Sequence, residues 1–93
     1  MPAEIIVQST NETRFEIAVR EGASETRHIV TVAHDYARKL AGAKGSIEDL
    51  VRRSFEFLLE HEPKESILRR FDLKDISRYF PEYEREIRNR IGA

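Results

Sequence analysis

The sequence has no cysteine, which excludes disulfides, thiolate nucleophiles and cysteine-ligated metals and leaves the redox compartment open. No window comes near the ~20 consecutive apolar residues that a membrane-spanning helix needs. The opening stretch M-P-A-E-I-I-V-Q has neither the basic region nor the apolar run of a signal peptide. The expectation is therefore a cytoplasmic protein with no membrane association. Charge of one sign is also missing: 16 basic residues face 17 acidic ones, for a net charge of −1. Residues 1–46 carry six of each sign, and residues 47–93 carry ten basic and eleven acidic. Neither half is a basic domain, so nucleic acid is not the expected partner. The glycines form no phosphate loop, since G-A-K-G at 42–45 is too short and matches no P-loop spacing. Internal repeats, low-complexity segments and runs of like charge are absent as well.

What is present is enough for one domain over residues 1–93, with a strand-rich part at 1–32 and a helical part at 33–93. A hydrophobic share of 40% beside a charged share of 35% implies long solvated helix faces. The organising stretch is G-S-I-E-D-L-V-R-R-S-F-E-F-L-L-E-H, residues 45–61. Ser46 is an N-cap, and Asp49 completes a capping-box pattern. At about 100° per residue, Ile47, Leu50, Val51, Ser54, Phe55 and Leu58 share one face, flanked by Phe57 and Leu59. The arc spans roughly 200°, well beyond the stripe of a surface helix, so this helix needs cover from two directions. Phe55 and Leu58, at mid-arc, are the expected centre of the core.

Before it, Glu4 to Ser9 is a short strand-type run ended by S-T-N-E. Arg14 to Glu21 alternates, with Phe15, Ile17 and Val19 on one side. Thr26 to Val32 is rich in β-branched residues. The turn Gly22-Ala23-Ser24 makes the last two antiparallel neighbours, and the first run is a third strand by a meander. Their edge is expected to be open to a second chain, because neither strand contains a proline. Ala33 to Ala41 has helical spacing, closed by Gly42. After Pro63, a short helix is expected on Ile67, Leu68 and Phe71. Asp72 and Asp75 open the next, with Leu73, Ile76, Tyr79 and Phe80. Pro81 begins the last, with Tyr83, Ile87 and Ile91 at four-residue spacing, surface pairs Glu84–Arg88 and Glu86–Arg90, and Gly92 at its end. The fold class is α+β: an antiparallel meander of two to three strands, then about four helices packed around the 46–61 helix.

From Ser54 onward, Phe55–Glu60, Glu65–Leu68, Phe71-Asp72-Leu73 and Tyr79-Phe80-Pro81-Glu82-Tyr83 form a string. It resembles the C-terminal signature of a family of small, uncharacterised prokaryotic proteins. The resemblance covers about a third of the chain and implies a natural, free-standing small domain. It implies no reaction, cofactor or partner.

Chemistry finds little purchase. His28, His34 and His61 share no metal-binding spacing, and the His34-Asp35 dipeptide lacks further ligands, so each histidine reads as surface or half-buried. Asp72 and Asp75 are explained as a cap and first-turn charge. Ser54 lacks a glycine-flanked elbow and a partner base, and reads as a small residue for close helix packing. No enzyme, cofactor or metal is expected. A helix-turn-helix over 67–80 would present Arg69, Arg70, Lys74 and Arg78 to phosphates, but Glu65, Asp72 and Asp75 share the region. The aromatics are more telling. All of Phe71, Tyr79, Phe80 and Tyr83 cannot easily face one small core, so part of the Phe80-Pro81 corner should be exposed. The favoured reading is a non-enzymatic protein-interaction module, with the chain itself among the candidate partners. Its docking residues would be Tyr79, Phe80, Pro81 and Tyr83, rimmed by Glu82 and Arg85. Tyr83 is the expected exposed ring. A DNA-binding regulator using the 67–80 helix pair is the alternative.

Overall fold

Alternation of apolar residues with period two builds the first half of the molecule. In the computed structural model, which describes residues 3–43 and 45–91, β1 (Glu4–Ser9), β2 (Arg14–Glu21) and β3 (Ser24–Thr31) form an antiparallel meander. The expected helix end at Gly92 and Lys44 of the glycine link lie outside the described residues. Phe15, Ile17 and Val19 of β2 are buried on one face together with His28 and Val30 of β3. The β2–β3 connection is the pair Gly22-Ala23, with Gly22 at a φ of 60°. Glycine at the first central position with positive φ is the II′ arrangement, whose twist matches the flanking strands. Charge predominates on the opposite face of the meander. There Arg20 meets Glu4 and Glu25, and Arg27 meets Glu16 and Glu25.

Helix α1 (His34–Ala41) buries Ala37, Leu40 and Ala41 and ends on Gly42, at a φ of 78°. Helix α2 (Ile47–His61) is capped by Ser46, whose hydroxyl accepts the Asp49 N–H at 3.2 Å; the expected return bond from the Asp49 carboxylate to the Ser46 N–H does not form, and that carboxylate faces Arg53 at 3.6 Å instead. Its wide apolar arc is covered from two sides. Phe55 lies 5.4 Å from the His28 ring on the sheet side, while Phe57 lies 5.4 Å from Tyr83 and 5.7 Å from Phe80 on the other. Phe55 and Leu58 are both buried.

The segment after α2 departs from expectation. Pro63 precedes only a single 3₁₀ turn, Lys64–Ser66, and residues 67–72 are not helical: 67–69 are irregular, with bends at Ile67 and Arg69. Arg70–Asp72 is a fourth strand, β4, parallel to β3 with Phe71 opposite Val30. Three apolar positions in five residues are too few to separate the two periods. The free edge of β3 decides between them: the Ile29 N–H donates to the Arg69 carbonyl at 2.7 Å. The sheet order is β1-β2-β3-β4, so β2 is interior and the open edges are β1, β4 and the first half of β3. The expected edge on β2 and β3 is corrected accordingly.

Asp72 then closes a full capping box with Asp75 over the 3₁₀ turn Leu73–Asp75, which runs into the single-turn helix α3 (Ile76–Tyr79). Helix α4 (Tyr83–Ile91) follows the Pro81 turn. It docks through Tyr83 and Ile87 and is tied to α2 by Arg90, which reaches Glu60 at 2.6 Å and lies over the Phe57 ring. The Glu86–Arg90 pair forms at 3.9 Å. Glu84 does not pair with Arg88: it accepts from the Tyr36 hydroxyl at 2.9 Å and meets Lys39 at 3.1 Å, joining α4 to α1. Despite partial burial, those two bonds hold the Glu84 carboxyl below its ordinary range. Among the described residues no helix is long and apolar enough to cross a membrane.

Candidate interaction groove

Where the 67–72 segment turns into α3, the chain leaves a groove of about 290 Å³ against the end of α2. Leu58 and Glu62 come from the end of α2, Ser66, Ile67, Leu68 and Phe71 from the following segment, and Asp75, Ile76, Tyr79 and Phe80 from the α3 region. Seven of the ten are apolar or aromatic, and no lining residue is basic. Ile67 and Ile76 are buried, while Leu68 and Tyr79 are 54% and 67% exposed. Phe80 is half-buried, its ring stacked 4.9 Å from His61, which is itself 4.6 Å from Phe57.

Two carboxylates reach this wall in different states. Asp75 is engaged: it accepts the Asp72 N–H at 3.4 Å and lies 4.0 Å from Arg78. Glu62 forms no ion pair among the described residues. Burial against the apolar wall pushes its carboxyl above the usual range, though the neighbouring His61 pulls the other way.

His28 fixes one side of the groove. It is 1% exposed, so the expectation of a surface or half-buried histidine is corrected for this residue, while His34 and His61 are exposed. Its Nδ1–H donates to the Leu68 carbonyl at 2.8 Å, which leaves Nε2 to accept the Thr26 hydroxyl at 2.9 Å. Sequence reading missed this bond because forty positions separate the partners. Burial lowers the His28 pKa below its ordinary 6.5, while the bond to Leu68 opposes that shift. The neutral ring therefore belongs to the fold. As pH falls below about 6.5, the unfolded chain takes up a proton that the folded chain refuses, and stability decreases until the folded pKa is passed. Glu62, raised in the fold, works in the opposite direction. The His28 contribution is thus the difference between wild type and His28→Gln in denaturant midpoints from pH 7 to pH 5. The expected outcome is a steeper loss in wild type; parallel curves would show that His28 titrates as freely as in the unfolded chain.

Lys64 is a buried charge. Only 4% exposed, it meets Glu65 at 2.7 Å and Glu21 at 3.0 Å, and these partners raise its pKa. It ties the turn after α2 to the end of β2, a role with no signature in the sequence.

Of the residues expected at a docking corner, Tyr79 and Phe80 line the groove. Pro81 and Arg85 are exposed and Glu82 is half-buried, but none of the three reaches the groove wall. Tyr83 overturns its expectation: at 0% exposure it is core. Its hydroxyl lies 2.6 Å from Ser54 Oγ, which donates its own proton to the Leu50 carbonyl at 2.7 Å, so Tyr83 is the donor. Burial pushes the Tyr83 phenol above its ordinary value. Arg69, Arg70, Lys74 and Arg78 are exposed, but they lie on the 67–72 segment, a 3₁₀ turn and a four-residue helix. The 67–80 helix pair does not form, and with it goes the element a helix-turn-helix reader would place in a groove of DNA. Sequence reading overlooked Ile67, Leu68 and Glu62 as groove residues. The available signal was the apolar pair Ile67-Leu68, of which one side chain is buried and the other exposed. Among the described residues no cluster of three or more His, Asp or Glu side chains could hold a metal.

Fold and groove together define a small α+β domain that presents an apolar, acid-tinged cleft on its helical side. No protein-family model, curated protein or solved structure matches the chain.

Proposed function

We propose that this chain is a non-enzymatic protein-interaction module, acting in the cytoplasm, whose docking face is the groove between the end of α2 and α3. The observation that carries the reading is the pairing of concavity with exposed apolar side chains. Leu68 and Tyr79, two of the three exposed large hydrophobic residues among those described, stand on this one cleft. Burying such side chains contributes roughly 25 cal/mol for each Å² removed from water. Tyrosine suits the role, because its ring offers contact area while its hydroxyl stays wet. The open edge of β1 is a second surface for pairing, through main-chain hydrogen bonds.

The test is capture of partners from the native lysate by wild type and by Tyr79→Ala, with circular dichroism to confirm the fold. Tyr79 makes little contact with the core, so the substitution should leave stability within about 0.5 kcal/mol of wild type. The expected result is loss of the partner. Retention of every wild-type partner would make the groove a structural crease.

A further inference from the structure

Main-chain direction across the sheet decides which groups of β1 are free. The Thr13 carbonyl accepts the Val32 N–H at 2.8 Å, and the Arg14 carbonyl accepts the Thr10 N–H at 2.9 Å. Along β2, odd-numbered residues therefore turn their main chain to β3 and even-numbered ones turn it to β1. Glu4, Ile6 and Gln8 stand opposite Arg20, Ala18 and Glu16, so their main-chain groups bond inward. Ile5, Val7 and Ser9 direct theirs outward, along an edge that pairs with no other strand among the described residues. We infer that this edge pairs with the same edge of a second copy of the chain. The two strands run antiparallel about a two-fold axis at Ile6, joining two four-stranded sheets into one. The inference rests on the β1 edge and not on the groove, so either reading can fail without the other.

A two-fold contact needs a strand that offers the same pattern from either end. β1 does so: Glu4-Ile5-Ile6-Val7-Gln8 runs polar, apolar, apolar, apolar, polar about Ile6. Bonding between the outward groups of two copies places the axis at a residue, and Ile5, Ile6 and Val7 are the central ones. An axis at Ile5 sets Glu4 against the partner's Ile6, and one at Val7 sets Ile6 against the partner's Gln8. At Ile6 each apolar side chain meets another. Ile6 faces the partner's Ile6 at a closely spaced position, while Ile5 and Val7 exchange main-chain bonds with the partner's Val7 and Ile5. Glu4, which meets Arg20 at 3.9 Å, falls opposite the uncharged Gln8, so no like charges oppose each other.

Both faces of the sheet gain. Ile6 is 37% exposed on the outer face, opposite Ala18. Ile5 and Val7 pack against the core yet stay half-buried, so the core is open at this edge and a partner strand continues it. Residues 4–9 contain no lysine, arginine, proline or glycine, the residues that commonly guard an edge. The other edges are guarded: the first half of β3 carries Glu25 and Arg27, and β4 is three residues long with Arg70 and Asp72. A net charge of −1 leaves almost no long-range repulsion between copies. A strand of another protein could bond to the same edge, but it would have no use for the symmetry about Ile6.

Sedimentation equilibrium over a wide concentration range decides the matter. Wild type should reach about twice the 10.9 kDa of the chain. Ile6→Lys and Ile6→Glu should each run as monomers, since each sets like charges against each other on the axis. Mixed in equal amounts they should form a dimer again, because Lys then faces Glu. Leu68→Glu, in the groove, should leave the dimer intact. Ile6 is exposed, and circular dichroism separates loss of pairing from loss of fold. Amide hydrogen exchange reads the register: the Ile5 and Val7 N–H groups should be protected in wild type and exchange freely in Ile6→Lys. A wild type that stays monomeric overturns the inference, while the Tyr79→Ala capture experiment continues to judge the groove on its own. A dimer that survives Ile6→Lys, or falls to Leu68→Glu, places the interface elsewhere and overturns it too. Failure of the mixed variants to pair refutes the axis at Ile6.

Discussion

Phe55→Ala is expected to lower stability by about 3–5 kcal/mol, a large share of the roughly 5–15 kcal/mol that a domain of this size holds. The ring is fully buried against the sheet, lying 5.4 Å from His28 on β3 and 6.0 Å from Phe71 on β4. Phe71 belongs to β4, and His28 holds the Leu68 carbonyl just before it. Truncation therefore leaves a cavity under the strand that forms one wall of the groove. β4 is only three residues long, so it has few bonds of its own with which to resist collapse into that space. A denaturant midpoint well below wild type is the expected measurement. A midpoint within a few tenths of a molar would place the centre of the core elsewhere. Partner binding through the groove should also weaken in this variant, because Leu68 loses its support.

Patterns that repeat over several residues were legible. The alternation in Arg14–Glu21 and the 3.6-residue period over residues 47–61 each contain enough apolar positions to reject the competing period, and both elements form with nearly those bounds. The caps at Ser46 and Asp72 were legible for the same reason: a side chain three residues from its partner needs no tertiary information. The stretch 67–72 was not legible. Its non-helical state depends on the vacant edge of β3 and on a buried histidine forty positions away, and neither is a local property. Glu62 illustrates a similar limit. Two positions after Glu60 in the sequence it looks like a second solubilising charge, yet Glu60 pairs with Arg90 on α4 while Glu62 turns to the groove. The docking corner was half legible. Surplus aromatics near Pro81 correctly implied an exposed ring, but which ring was a matter of helix orientation.

That choice carries the second large effect. With Tyr83 in the core, Tyr83→Ala should not act as a binding-surface variant at all. It should cost about 3–5 kcal/mol, as removal of a buried ring between two helices does. Tyr83→Phe separates the ring from the hydroxyl. The ring still fills the space beside Phe57, while Ser54 Oγ loses the proton donated by Tyr83 but keeps its own bond to the Leu50 carbonyl. The loss for that variant should be about 0.5–1.5 kcal/mol, the net worth of one hydrogen bond. The double variant Ser54→Ala with Tyr83→Phe tests the coupling directly. If the two hydroxyls act as a pair, the double variant should lose less stability than the sum of the single losses, because an apolar pair leaves no buried polar group without a partner. Thermal or denaturant unfolding of the four proteins gives the cycle. Strictly additive losses would mean that the 2.6 Å contact adds nothing beyond two independent side chains, and Tyr83 would then hold α4 to α2 by its ring alone.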